Sequence, residues 1–194
     1  MRILMIQFSP SGSTLKVSSM LKQVLEARGG TVQVLDMTGH EAVFLHRDPA
    51  SFLACAKPHD VMLIGGPVYA HHLQYHVQTV LRALPVPDAE WGRYAIPYVC
   101  YGGISSGVAL KEAASLLKKS GRLVPCGLKV SAPHSMTRAF MPQEFHGDKL
   151  QIGCILPELE ELAASVKALE HGIVREAVPA LASYGLMTPI KAHI

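Results

Sequence analysis

The feature that most constrains the fold is a regular alternation between short apolar runs and segments with helical spacing. Between the apolar runs, hydrophobic residues recur every three or four positions, as on one face of an amphipathic helix. A strand–helix alternation of this kind predicts a parallel sheet with helices on both faces and right-handed crossovers. We therefore predict an α/β fold with a doubly wound, five-stranded parallel sheet, its strands at residues 2–8, 31–35, 60–64, 94–100 and 122–130.

The first run is predicted to be a central strand because nearly every position in it is apolar, so both of its faces must be covered. The second run alternates more and is expected nearer an edge of the sheet. The fifth is expected to bend at Pro125 or Gly127. The predicted helices begin at Leu15, Pro49 and just before Val77, and then cover 109–117 and 159–169, with Gly172 as the last C-cap.

Two segments do not follow this pattern. Residues 131–153 have no clear periodicity, and a segment of this length is long for a connection in a compact domain. They carry apolar residues that the segment cannot bury alone, and we expect it to fold over the ligand edge or against a second copy in a homodimer. We assign 1–172 to one domain and 173–194 to a tail or linker.

Composition excludes several classes of protein. With 49% hydrophobic and 17% charged residues the chain is globular and not disordered. No stretch approaches the roughly 20 apolar residues that cross a bilayer. The net charge is +3 and no basic run exceeds two residues, so nucleic-acid binding is not expected.

The four cysteines lie far apart, without a C-x-x-C pair. Such spacing favours reduced thiols and argues against a zinc or iron–sulfur site. No signal-peptide pattern follows Arg2, so we expect a cytoplasmic protein.

The loop from Ser9 to Thr14 is the first candidate binding element. It lies between the first strand and the first helix, where backbone N–H groups and the positive end of the helix dipole face a ligand. Its four hydroxyl residues are further donors, and Gly12 lets the backbone close tightly. Without Lys or Arg in the loop, a single phosphate fits better than a triphosphate.

Two more loops follow strands of the same sheet. In the loop 65–71, Tyr69 can stack on a flat heterocycle. In the loop 101–107, Gly102-Gly103 offers N–H groups without side chains in the way. Since ligands of doubly wound sheets bind beyond the carboxyl ends of the strands, the three loops are predicted to form one crevice.

These motifs resemble the flavodoxin family. Ser9-Pro10-Ser11-Gly12-Ser13-Thr14 is similar to its phosphate loop, Gly66-Pro67-Val68-Tyr69 to the loop whose aromatic residue stacks on the flavin, and Tyr101-Gly102-Gly103 to the loop beside the pyrimidine ring. The resemblance covers residues 1 to about 171 and implies strand order 2-1-3-4-5 with FMN as cofactor. It implies that FMN contacts Ser9, Ser11, Gly12, Ser13, Thr14, Pro67, Val68, Tyr69, Ala70, Tyr101, Gly102 and Gly103.

Within the family, these loops look most like flavodoxin domains joined to a C-terminal two-cluster ferredoxin. The resemblance therefore implies a redox protein partner, such as an iron–sulfur ferredoxin. Two departures stand out. No aromatic residue lies between Tyr101 and Phe140, so Tyr101 or Ile104 is left to cover the second face of the ring, and the pI of 8.7 differs from the acidic short-chain carriers.

His71, His72 and His76 have spacing that a zinc or nickel site can use, but no acidic residue or cysteine is near in sequence to complete one. We expect these histidines to line the flavin rim. No catalytic residue is assigned. Two alternatives to an electron carrier remain open: an NAD(P)H-dependent quinone or flavin reductase, and a non-enzymatic module that binds a phosphate-bearing ligand.

Overall fold

A computed structural model describes residues 1–41, 48–102, 105–132 and 152–171, with the backbone alone for 152–156. Strands and helices alternate along these residues, as the sequence predicts. In chain order they are β1 (Arg2–Gln7), α1 (Ser13–Ala27), β2 (Thr31–Asp36), α2 (Pro49–Leu53), β3 (His59–Tyr69), β4 (His72–Leu73), α3 (Tyr75–Ala83), β5 (Trp91–Tyr101), α4 (Ala109–Lys119), β6 (Leu128–Ser131) and α5 (Ile152–Leu169).

The parallel strands lie in the order β2-β1-β3-β5-β6. The two-residue strand β4 pairs antiparallel with the end of β3 and stands off this path. Strands β5 and β6 are therefore the fourth and fifth strands that the sequence predicts, and the order 2-1-3-4-5 is confirmed. In register, Ile6 of β1 lies between Leu35 of β2 and Ile64 of β3, so β1 is a central strand.

Strand β1 is apolar from Ile3 to Ile6 because helices cover both faces of the sheet. Residues 3–6 are at most 2% exposed. Leu4 and Ile6 belong to a core shared with α3 and α4. Ile3 and Met5 point the other way, into a core shared with α1 and α5. Successive side chains of a strand face opposite sides, so the sheet is doubly wound, as predicted.

Strand β3 is longer than the sequence indicates. A loop was expected from residue 65 to 71, but the extended backbone continues to Tyr69 and pairs with β5 as far as Pro67. Only Ala70 and His71 remain as a turn before β4. The sequence suggested a loop because Gly-Gly-Pro is usual in turns.

Packing explains the two glycines inside this strand. A Cβ at position 65 would lie 2.0 Å from ring atoms of Tyr98, and a Cβ at position 66 would lie 2.7 Å from a methyl group of Val77. Gly65 and Gly66 thus allow β5 and α3 to pack closely against β3.

The fifth predicted strand is divided. Leu123 forms a single bridge to Tyr94. Regular pairing with β5 resumes only at Leu128, beyond Pro125 and Gly127. The interruption falls where a bend was expected.

Several predictions concern residues outside the described ranges. They are the role of residues 133–151, the cap at Gly172 and the tail 173–194. The division into a domain and a tail stays a prediction. In the described part of the chain, no helix combines the length and apolar character that crossing a bilayer requires.

Candidate functional site

The carboxyl ends of the parallel strands bring the predicted binding segments to one edge of the sheet. Strand β1 leads into the loop 9–14, β3 ends at Tyr69, and β5 ends at Tyr101. Because β1, β3 and β5 are neighbours in the sheet, the three segments are adjacent. They surround the point where the winding reverses, and this is where ligands of such sheets bind.

Loop 9–14 is shaped by Ser9. The hydroxyl oxygen of Ser9 accepts the N–H of Leu15 at 2.8 Å, and its carbonyl accepts the N–H of Gly12 at 3.1 Å. The first bond gives a partner to an amide of the first helical turn that has none inside the helix. Ser9 is 6% exposed, so it supports the loop from below.

Helix α1 begins directly after Gly12, whose φ of 82° lies in the left-handed region. A Cβ at Gly12 would have no protein atom within 4 Å, so the space above the loop is open. Ser11 is exposed, and Gly12 and Ser13 are half-buried at this surface. The first-turn amides and these hydroxyls form a set of neutral donors that fits one terminal phosphate.

Thr14 faces the opposite way. It is 1% exposed and its side chain hydrogen-bonds the thiol of Cys100 on β5. Burial raises the pKa of this thiol to about 12, which keeps it protonated. Thr14 therefore fixes α1 to the sheet beneath the loop, and Cys100 is an unreactive core thiol.

The last residue of β2 and the turn after it contribute two residues that the sequence analysis did not identify. The hydroxyl of Thr38 accepts the N–H of Ser9 at 3.0 Å. The carboxylate of Asp36 accepts the N–H of Thr38 at 2.9 Å and a bond from Nε2 of Gln7 at 3.1 Å. The available signal was an Asp at the carboxyl end of a strand predicted to pair beside the first.

The second candidate segment is a tight hairpin and not the predicted open loop. Ala70 and His71 both have positive φ, at 47° and 69°. Two such residues between paired strands correspond to a type I′ turn, which usually contains Asn or Gly. Tyr69 precedes the turn and is 50% exposed, so its ring is accessible to a ligand.

Helix α4 holds this hairpin in place through Glu112. One carboxylate oxygen lies 2.6 Å from Nδ1 of His72, and the other accepts the N–H of Leu73 at 2.9 Å. The N–H of Val108 donates to the carbonyl of His71 at 2.9 Å. A Cβ at Gly107 would lie 2.3 Å from His71, so this close approach requires glycine.

The three histidines of the hairpin do not converge. The side chain of His72 contacts Glu112, while that of His76 is near Nε2 of Gln74 at 3.0 Å and packs edge-to-face on Phe8. Among the described residues, no group of three His, Cys, Asp or Glu side chains is placed to hold a metal ion.

The third candidate segment is described only in part. Tyr101 is the last residue of β5 and half-buried, and its carbonyl accepts the N–H of Ala132 at 2.8 Å. Gly102 follows it at the same edge. Gly103 and Ile104 lie outside the described residues, so their predicted roles stay predictions.

Apolar side chains surround this edge of the sheet. Leu15, Tyr69, Tyr75 and Val108 are between 37% and 56% exposed. Leu15 lies in the first turn of α1, after β1, and Tyr69 is the last residue of β3. Tyr75 and Val108 lie next to the hairpin. An exposed apolar rim of this kind is suited to a flat ligand or to a protein surface.

Solved structures are similar to the chain over most of its length. Oxidised flavodoxin 2 from Bacillus cereus gives a TM-score of 0.58 at 17% identity, over 87% of this chain and 99% of that one. A flavone reductase gives 0.57 at 12% identity, over 92% and 67%. Rubredoxin oxygen:oxidoreductase from Desulfovibrio gigas gives 0.55 at 17% identity, over 88% of this chain and 36% of that one.

At these identities the likeness shows the fold, which is flavodoxin-like. The chain corresponds to about a third of the Desulfovibrio gigas oxidoreductase. No family model and no curated protein matches the sequence.

Proposed function

We propose that this chain binds FMN at the carboxyl edge of its sheet and transfers electrons between redox partners. The observation that carries the proposal is the loop 9–14, where an open surface of neutral donors follows the central strand of a flavodoxin-like fold. FMN, when bound, supplies the redox chemistry, and the protein supplies binding and orientation.

The proposal gives the residues of this loop two different tasks. Ser11, Gly12 and Ser13 lie at the surface beside the terminal phosphate, with the N–H and hydroxyl groups of Ser11 and Ser13 as donors. Ser9 and Thr14 are buried and keep those donors in position. FMN fits better than a diphosphate-linked flavin because the loop has space and donors for one phosphate and no basic side chain.

The hairpin and the end of β5 hold the ring. Tyr69 covers one face, with Pro67, Val68 and Ala70 forming the backbone around it. Tyr101, Gly102 and Gly103 border the polar edge of the ring. The apolar rim of Leu15, Tyr69, Tyr75 and Val108 then excludes water and forms the contact surface for a redox protein, such as an iron–sulfur ferredoxin.

The flavone reductase likeness favours a second candidate, a quinone or flavin reductase that uses NAD(P)H. In that case the same rim admits a flat organic substrate. Oxidation of NAD(P)H with a quinone as acceptor, measured on FMN-loaded protein, separates the two. Turnover without any protein partner supports the reductase, and its absence supports the carrier.

A flavin titration tests the proposal itself. FMN added to the full chain is expected to lose its fluorescence with 1:1 stoichiometry. Tyr69→Ala is expected to weaken FMN binding by about 1–3 kcal/mol because burial and stacking are lost together. Tyr75→Ala is the comparison variant: Tyr75 is exposed to a similar degree but lies on the rim beyond the hairpin, so its loss should weaken FMN binding less than that of Tyr69.

Two results would contradict the proposal, namely no uptake of FMN and tighter uptake of FAD than of FMN. Equal FMN affinity in the wild type and Tyr69→Ala would remove Tyr69 from the site and leave the phosphate loop as the binding element.

A further inference from the structure

A buried, positively charged cluster lies at the opposite edge of the sheet from the candidate FMN site. His59 and Trp91 are the first residues of β3 and β5, and they are paired in register. Arg122 lies just before the bridge that joins Leu123 to β5. The cluster therefore lies at the amino ends of the strands, whereas the candidate FMN site lies at their carboxyl ends and includes none of these residues.

Arg122 is an unusual residue for a protein core. It is 2% exposed, and its guanidinium lies over the Trp91 ring at 5.8 Å from the centroid. Nη1 donates to the hydroxyl of Ser120 at 2.8 Å, whereas Nε and Nη2 are buried without a hydrogen-bond partner. Burial lowers the pKa of Arg122 to about 10, so the group remains charged at neutral pH.

His59 also has a buried nitrogen without a hydrogen-bond partner. It is 3% exposed and meets the Trp91 ring edge-to-face, with centroids 5.0 Å apart. Nδ1 lies 3.0 Å from the carbonyl of Lys57 and therefore carries the proton, because a carbonyl only accepts. Nε2 is left as a buried acceptor without a partner.

The two free nitrogens of Arg122 are on one edge of the guanidinium. Nε and Nη2 point in nearly parallel directions and match the spacing of two oxygens of an oxoanion. Buried polar groups are nearly always paired, and a buried charge without a partner is costly. Among the described residues, the acidic side chain that acts electrostatically on Arg122 is Asp88, and one oxygen of that carboxylate already accepts the N–H groups of Glu90 and Trp91.

We propose that Arg122 and His59 form a binding site for a phosphate group. Two phosphate oxygens accept from Nε and Nη2 of Arg122, and the O–H of a monoprotonated phosphate donates to Nε2 of His59. A carboxylate has two oxygens for Arg122 but no donor for His59, so phosphate is the better match. The ligand is thus a phosphate monoester or inorganic phosphate.

Access is from an open cleft beside the cluster. The cleft is lined by Val86, Pro87, Asp88, Arg93 and Gly121, and Gly121 directly precedes Arg122. Arg93 is exposed and adds a second cation at the entrance. Arg122 itself does not line the cleft, so phosphate reaches the guanidinium only by displacing side chains of the cleft wall.

Trp91 is the chain's one tryptophan, and it contacts both proposed ligands of the phosphate. Its indole N–H gives a single reporter signal in a ¹H–¹⁵N spectrum. The experiment titrates inorganic phosphate into the full chain at constant ionic strength, with chloride and acetate as parallel arms. Phosphate bound at loop 9–14 does not interfere, because that loop is at the other edge of the sheet.

A saturable shift of the Trp91 signal is expected with phosphate below about 10 mM, and not with chloride or acetate. Arg122→Lys keeps the positive charge but loses the paired donors Nε and Nη2, and it is expected to weaken phosphate binding at least about tenfold. Arg122→Met should abolish the shift and need not unfold the chain, since apolar replacements of buried charges are often tolerated.

The proposal is overturned if phosphate gives no saturable shift, if acetate binds equally well, or if Arg122→Lys binds phosphate as tightly as the wild type. Thermal unfolding is an independent readout that does not depend on either variant folding. Phosphate should raise the melting temperature of the wild type above that in sulfate at the same ionic strength, because sulfate shares its general stabilising effect and can bind at loop 9–14 but has no O–H for Nε2 of His59; equal melting temperatures count against the site.

Discussion

At the residue scale, Gly65 and Tyr98 show most clearly how a residue in the sequence permits a packing contact. Tyr98 is fully buried, and its ring crosses the backbone of β3 at Gly65. Its hydroxyl then reaches Ser18 of α1 at 2.7 Å. Burial raises the pKa of Tyr98 far above its usual range, so the hydroxyl stays neutral. One glycine thus permits a contact that joins β3, β5 and α1.

We expect Gly65→Ala to lower the free energy of unfolding by about 2–4 kcal/mol, because the ring must move and its bond to Ser18 is lost. Denaturant unfolding of flavin-free protein measures this change. The control is the same substitution in a Tyr98→Leu background, where the clash is absent and the cost should fall below about 1 kcal/mol. An equal cost in both backgrounds would show that the ring is not the cause.

At the element scale, the β3–β4 hairpin depends on a helix that is distant in sequence. Its turn places Ala70 in a conformation that costs a residue with a Cβ about 1–2 kcal/mol. Bonds from Glu112 and Val108 offset that cost. Contacts with α4 therefore stabilise the hairpin that carries Tyr69, whereas the sequence of its turn does not.

Glu112→Ala should loosen the hairpin and speed hydrogen exchange of the Leu73 amide roughly tenfold, as expected for one lost charge-assisted bond. Glu112→Gln retains an acceptor oxygen and should have a smaller effect. Ser115→Ala, at an exposed position of the same helix, is the matched control. If the Leu73 amide exchanges at the same rate in all four proteins, Glu112 does not hold the hairpin.

At the scale of the whole molecule, His59 links stability to pH. Its pKa is lowered from 6.5, chiefly by burial, with a further contribution from Arg122. The imidazole of His59 therefore binds a proton more readily in the unfolded chain than in the folded chain. The resulting stability is fully present above pH 6.5 and is lost as the pH falls towards the lowered value. The carboxylates of Asp60 and Asp88, whose pKa values are lowered from 3.8, act only at more acidic pH.

Stability in phosphate-free buffer should consequently fall as the pH decreases below 6.5, by at most about 1.4 kcal/mol per pH unit. His59→Gln should flatten the curve in this window, even if the variant is less stable overall. His171→Gln, at an exposed position, should leave its slope unchanged. A slope that His59→Gln does not alter would assign the pH dependence to other groups.

The sequence by itself determined the strands, the doubly wound parallel sheet and the edge of the sheet at which the candidate site lies, while the strand order came from the resemblance to the flavodoxin family. Apolar runs, helical spacing and glycine-bearing ends are local patterns, and the backbone follows them wherever both faces of a strand must be buried, as for Ile3 to Ile6. The positions of Ser11 and Gly12 at the start of α1 follow from the same local rules.

Only the tertiary structure decided what holds that site together and what lies opposite it. The support of Ser9 by Thr38, the bonds from Glu112 to the hairpin, and the packing of Arg122 and His59 on Trp91 join residues about 30 to 40 positions apart. Such contacts depend on strand register and on how helices pack across the sheet. A periodic pattern gives the face on which a side chain lies, but not the partner that it meets there.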